Sequence, residues 1–393
     1  MSQNPLSRRK FIQMGFATMG TAAVAPVAGA VESLTRPGRS VTVGVLLPRA
    51  QLHPLLSANI LDGLRLGFST TSHAARFQTR QIGTGETSAV SAARGLLDAG
   101  IRVVVGMVST SQLEAIQPLF AEYGATFVHA TAGENITASP LSNVVVNSLQ
   151  YWQSAYAAGQ WAVGQFGRRA MLLSSFYESG FDTLYAAGQG IESAGGSVLD
   201  THVTHMHPSF DRLADALDAV RSTNPDFVYT AYQGQQAAAF LHAYRSAGLE
   251  TPLVASAFML DSADVSVPAR SVTPWAADLK SPENSAFLDA FGQSTGRTAD
   301  SFAVLGFETG HWIGAALDTA AGNSALLRAA MAATRVVGPR GALTFDAASQ
   351  SLTSALVVRS IDQQVKSFQA VDAPVFAHRP DIKTGWITPY LSV

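Results

Sequence analysis

Short apolar, β-branched runs alternate along this chain with longer stretches whose apolar positions return every three or four residues. Residues 41–47, Val-Thr-Val-Gly-Val-Leu-Leu, form the first such run, and Pro48 ends it. A run this short and this apolar predicts a strand buried on both faces. Residues 58–68 put Ile60, Leu61, Leu64 and Phe68 on one side of a helix. Residues 76–82 alternate as a second strand, and 88–99 predict a helix stopped by Gly100. A third strand at 101–106, a helix at 112–123 and a fourth strand at 125–130 follow. This alternation predicts βαβ units on a parallel sheet.

The rhythm then restarts. Strands are expected at 144–147, 169–175, 197–203, 227–231 and 252–256. Helices are expected between them at 153–166, 181–194, 210–222 and 235–247. Two sets of about five βα units imply two similar α/β lobes rather than one large sheet. The last third is mixed. Helices are expected at 285–292, 302–321 and 325–333 and strands at 342–345, 354–360 and 365–370. These elements must complete lobes already begun.

The first 30 residues break the pattern. Ser7-Arg8-Arg9-Lys10-Phe11-Ile12 precedes an uncharged stretch from Met14 that ends in Ala28-Gly29-Ala30. A positive head, an apolar middle and a small-residue exit describe a cleavable export signal. The paired arginines before Phe fit the twin-arginine type, with an ordinary Sec signal as the alternative. The mature chain is then expected to start near Val31. With 0 cysteines the chain has neither disulfides nor a lipid-accepting thiol, so the mature protein is expected free in the periplasm, without a membrane anchor.

Composition narrows the function. The 393 residues are 47% hydrophobic and 14% charged, with a formal net charge of −2. That composition is globular and calls for neither nucleic acid nor an anionic membrane as partner. Gly44 stands alone within the first strand and no dinucleotide fingerprint follows it, and no phosphate-binding loop or nucleophile elbow occurs. His202, His205 and His207 form the one cluster with metal character. Without a cysteine or an adjacent carboxylate they read as a solvated strand end. Neither a metal nor a cofactor is expected.

Hydroxyls mark one candidate site. Ser109, Thr110 and Ser111 follow a buried strand and open a helix, where free backbone N–H groups suit an anionic or carbonyl oxygen. The same residues also serve as a helix cap.

Several motifs, taken in order, resemble the type I periplasmic binding proteins, specifically the leucine/isoleucine/valine-binding branch. They are Asp62-Gly63; Gly106 followed by Ser109-Thr110-Ser111; His129-Ala130-Thr131-Ala132-Gly133; Ala303-Val304-Leu305-Gly306-Phe307-Glu308; and Val337-Gly338-Pro339-Arg340-Gly341 through Phe345-Asp346. The resemblance spans about residues 40 to 370. It implies an α/β fold of two Rossmann-like lobes joined by three hinge crossings, near 147–152, 265–275 and 340–350. Residues 40–150 with 272–345 would form the first lobe, and 151–271 with 346–393 the second. Ligand would bind between them, at the C-terminal ends of the strands.

The resemblance also nominates residues. Ala130 and Thr131 match the segment that touches the ligand's carboxylate. Tyr177 lies near the family's Tyr-Gly site, here Ser179-Gly180. Tyr232 and Gln233 stand where the family offers an aromatic group, and Tyr151 and Trp152 sit at the first crossing. Amino-acid binders of this branch pair a carboxylate with the ligand's ammonium; the matching position here is Ala257, followed by Phe258, with Asp261 shifted along the chain. Arg49 replaces part of a Thr-Gly pair and could meet an anion. The implied function is a non-enzymatic, monomeric receptor that closes on a small amino-acid-like, carboxylate or amide solute and delivers it to the permease subunits of an ABC transporter. A sensory module of the same fold and a secreted α/β hydrolase-type enzyme are the alternatives.

Overall fold

The computed structural model describes residues 40–49, 54–133, 140–175, 183–204, 213–232, 234–260, 267–320, 323, 326–362 and 365–371. The export signal, Tyr177, Gln233, Asp261, His205 and His207 lie outside the described residues.

The chain builds a first unit from β1 (Ser40–Pro48), α1 (Leu56–Phe68), β2 (Ala74–Ile82), α2 (Glu86–Asp98), β3 (Val103–Gly106), α3 (Thr110–Glu122), β4 (Thr126–Thr131) and β5 (Val144–Ser148). It then builds a second from α4 (Tyr151–Phe166), β6 (Arg169–Ser175), α5 (Thr183–Ser193), β7 (Ser197–Thr204), α6 (Leu213–Thr223), β8 (Phe227–Ala231), α7 (Gly234–Ser246), β9 (Leu253–Ala255) and β10 (Ala269–Thr273). The helices α8 (Pro282–Thr295), α9 (Ser301–Thr319) and α10 (Leu327–Ala333) and the strands β11 (Val336–Gly338), β12 (Gly341–Asp346) and β13 (Ser351–Thr353) follow. The last two strands are β14 (Leu356–Asp362) and β15 (Val365–Val371).

Two sheets result. The eight-stranded one runs β11-β12-β13-β5-β4-β3-β1-β2 and the seven-stranded one β15-β14-β10-β9-β8-β6-β7. In each, the strands at the centre are parallel, as their near-continuous Val, Ile and Ala runs require, and an antiparallel hairpin closes one edge.

Three short strands escaped the sequence pattern. β10 is Ala-Arg-Ser-Val-Thr, too polar to announce itself, and it is buried because β9 and β14 pair on either side. β11 and β13 have three residues each, fewer than any periodicity needs. Residues 354–360 were expected as one strand. That strand is present but begins two residues later, as β14: the chain pairs β13 with β5 in the first sheet, passes Ser354 and Ala355, and enters the second sheet at Leu356. The third passage therefore lies beyond the 340–350 expected for it. The second follows β10, at Pro274, where Trp275 is already packed with Phe287, Phe291 and Phe307 of the first lobe.

Glycine sets the closest helix contacts. α1 and α9 cross backbone to backbone: a Cβ on Gly67 would lie 2.7 Å from the His311 nitrogen, and one on Gly306 would lie 3.0 Å from the Ile60 Cα. The second lobe repeats the device, since a Cβ on Gly190 would lie 2.9 Å from the Tyr156 carbonyl carbon. These helices are held against their sheets at a depth that any larger residue would forbid.

Candidate ligand-binding cleft

Parallel pairing aligns the strand ends of each sheet. In the first, Leu46 stands beside Gly106, Gly106 beside His129, and Thr131 beside Ser148. In the second, Ser175 stands beside Thr204 and Thr230 beside Ala255. The two rows of C-terminal ends meet through aromatic rings. Phe258, just past β9, stacks on Tyr151 with centroids 4.6 Å apart and planes 13° apart, and touches Phe302 of α9 at 6.0 Å. Ala257 and Phe258 are counted in the hydrophobic cluster of the first lobe, so the second lobe inserts this turn into its partner.

On the first wall, Ser109 closes a capping box. Its Oγ accepts from the Gln112 N–H at 3.3 Å, and Gln112 Oε1 accepts from the Ser109 N–H at 3.0 Å. Gln112 Nε2 also donates to the Gly83 carbonyl at 2.8 Å. Ser109 is thus a cap first, with its hydroxyl 3.2 Å from that of Ser111. Its neighbour differs: Thr110 Oγ1 is buried with no hydrogen-bond partner among the described residues. An unsatisfied hydroxyl at a helix start is ready for an acceptor. Thr131 is half-buried at the end of β4, and its carbonyl accepts from the Leu149 N–H at 2.9 Å.

Other nominated residues lie elsewhere. Ala130 is fully buried in the first core. Tyr232 is fully buried in the second, stacked on Phe240 at 4.5 Å, with Thr204 Oγ1 donating to its hydroxyl at 3.4 Å. Burial pushes the Tyr232 pKa well up. Trp152 stacks on Tyr156 at 5.4 Å and packs on the second lobe's sheet. Arg49 is exposed past β1 and donates through Nε to Gln81 Oε1 at 3.2 Å.

The residues that fix the crossings carried no assigned role in the sequence. Arg340 and Glu308 are a completely buried ion pair, Nη2 to Oε2 at 2.6 Å. Arg340 Nη1 donates to the Ser148 carbonyl at 2.6 Å and Nη2 to Asn147 Oδ1 at 2.7 Å. The end of β5 is thereby bolted to α9 and the β11–β12 turn. A signal existed: Glu308 is the single carboxylate in the apolar run 301–317, and a lone charge in such a helix demands a partner. From β14 of the second lobe, Arg359 donates through Nη2 to Asp278 Oδ2, past the second crossing, at 2.9 Å and through Nη1 to the Leu260 carbonyl at 3.0 Å. That bond holds the turn carrying Phe258.

A Ser, His and Asp do meet, at the far end of α1 and α9. His73 Nδ1 lies 3.2 Å from Asp318 Oδ1 and 3.3 Å from Ser72 Oγ, while Ser72 also donates to Asp318. Both partners address one ring nitrogen, whereas a nucleophile triad uses the two nitrogens separately. Among the described residues no group of three or more His, Asp or Glu is arranged to hold a metal, and no helix is long and apolar enough to cross a membrane.

Comparison with known proteins places these features in context. Residues 40–366 match the family model described as periplasmic binding protein. A comparison with curated proteins returned no match. Among solved structures, the chain is similar to a solute-binding protein of an ABC transporter from R. palustris in complex with benzoate, at 22% identity and TM-score 0.73, covering 86% of this chain and 98% of that one. It is similar to an ABC transporter substrate-binding protein from Sphaerobacter thermophilus, at 20% identity and TM-score 0.74, covering 85% and 96%. It is also similar to a leucine-binding protein from Thermotoga maritima, at 16% identity and TM-score 0.68, covering 85% and 99%.

Proposed function

This chain belongs to the periplasmic binding protein family, and on that premise we propose that it is the exported receptor of an ABC transporter for a small carboxylate that carries no ammonium group. The observation that carries this reading is Ala257. It occupies the position where the resemblance implies a carboxylate for an ammonium. Here it is 4% exposed and packed in an apolar cluster beside the Phe258–Tyr151 stack. A buried ammonium without a counter-charge costs several kcal/mol. Flat apolar rings favour instead a planar or aliphatic body. In the first lobe, the Thr110 hydroxyl and the amides opening α3 suit the carboxylate end. Relatives of this fold include complexes with benzoate and with 4-hydroxybenzoate as well as with isoleucine, and the apolar position favours the first kind.

The mechanism is capture by closure. Solute docks on the first wall, the second lobe swings onto it, and the closed form is the one the permease engages. The solute leaves unchanged, and the protein works in the periplasm once its signal is removed. Calorimetry with benzoate, 4-hydroxybenzoate, leucine and isoleucine tests the reading. The aromatic acids should bind at least about tenfold more tightly than the amino acids, a difference of about 1.4 kcal/mol. Tighter binding of leucine than of either benzoate, or turnover of any of them, would sink it.

A further inference from the structure

Two of the three crossings are only as long as the gap between neighbouring elements allows. Leu149 and Gln150 separate β5 from α4, and Ser354 and Ala355 separate β13 from β14. One side chain spans both. Gln150 Oε1 accepts from the Ser354 backbone N–H at 2.7 Å and from Ser354 Oγ at 3.1 Å. Both residues are buried, at 2% and 7% exposure. Gln150 is also left-handed, with φ 54° and ψ 38°, a conformation that costs a residue bearing a Cβ and persists where its surroundings enforce it. Its N–H donates to Ser148 Oγ at 2.9 Å, and that hydroxyl donates to the Gly133 carbonyl at 3.2 Å. Just upstream, Arg340 holds the Ser148 carbonyl and the Asn147 side chain. The first lobe therefore grips the chain through Ser148, and the Leu149 and Tyr151 N–H groups still donate to the Thr131 and Ala132 carbonyls at 2.9 and 3.0 Å, so Gln150 bends the chain at the edge of that grip.

We infer that Gln150 is a positioning residue that ties the first and third crossings into a single pivot. Two separate two-residue linkers permit twist as well as opening. A buried amide bonded across them removes the twist, because any relative rotation of the strands β5 and β13 as they leave the sheet breaks two hydrogen bonds that water cannot readily replace. The lobes are then left with one axis, and each closure returns Tyr151, the residue after Gln150, to the same place against Phe258. This assignment concerns how the lobes move and is independent of which solute they take.

The absence of native cysteine makes the test clean. Spin labels on E122C and E192C, exposed positions on α3 and α5, report the distance between lobes in the otherwise complete, ligand-free chain. Gln150→Asn tolerates the left-handed backbone but is one methylene too short to reach Ser354. It should broaden the distance distribution by about twofold while circular dichroism stays that of the parent. Ser354→Ala, which removes one of the two bonds, should broaden it less, and adding it to Gln150→Asn should change nothing more, because both act through one contact. A parental distribution in Gln150→Asn, or additive effects in the double variant, overturns the assignment. Should Gln150→Asn lose its helical signal, Ser354→Ala alone decides: a broader distribution supports the single pivot and an unchanged one overturns it.

Discussion

The two lobes use one architecture but anchor their crossings differently. Each has a parallel sheet, a glycine-packed helix pair and an arginine near the hinge. In the first lobe the arginine, Arg340, pairs with Glu308 at zero exposure for both side chains. The second lobe's Arg359 instead reaches past the second crossing to Asp278, with side chains 9% and 19% exposed. A buried pair is costly to assemble and far more costly to half-remove, whereas a wetter pair tolerates loss. The first lobe is thus fixed from within by the drier pair, while the wetter pair spans the second crossing. The other lobe carries the inserted Phe258 turn and a looser tether to it.

Removing one partner from each anchor is the sharpest way to break that contrast. Glu308→Gln strands the Arg340 charge and should cost about 3–5 kcal/mol. Asp278→Asn should cost about 1–2 kcal/mol. Urea midpoints at unchanged slope measure both, and equal losses would erase the distinction. The shared feature comes next. Gly67→Ala and Gly190→Ala each push a Cβ into backbone and should each cost about 1–3 kcal/mol, with neither lobe spared. Scanning calorimetry reads the two shifts, and a neutral Gly67→Ala would show that the helices can part.

The smallest effect is in pH. Burial lowers the pKa of His311 in the first lobe below its ordinary 6.5. Folding therefore disfavours the charged ring, so its contribution is present above 6.5 and is lost as pH falls below that value. In the second lobe, burial raises the pKa of Tyr244 above its ordinary 10.0, and its hydroxyl donates to the Thr251 carbonyl at 2.7 Å. Its contribution is present below 10.0 and is lost as pH rises beyond it. His311→Gln should flatten the acid limb of a stability–pH curve, and Tyr244→Phe the alkaline limb. The reverse pairing would contradict both burial assignments.

Two features of the candidate site were legible before any coordinates. Ser109-Thr110-Ser111 announced a helix start after a buried strand, and Ala257 announced a missing charge. The hydroxyls could not be ranked from sequence, because whether Ser109 or Thr110 has a spare bond depends on Gln112 reaching back to cap the helix. Tyr232 illustrates the reverse. A tyrosine just after a strand suits a cleft wall equally well, and only packing against Phe240 sends it inward.

The sequence by itself determined the repeated strand–helix rhythm and the two-lobed class, since periodicity and residue chemistry are local. Tertiary structure alone decided which strands share a sheet, where the chain passes between lobes, and that Gln150, Arg340 and Glu308 meet there. Residues 147 and 150 are far in the chain from 308, 340 and 354. What joins them is the return of β11–β13 to a sheet begun at Ser40, a long-range closure that no local pattern encodes.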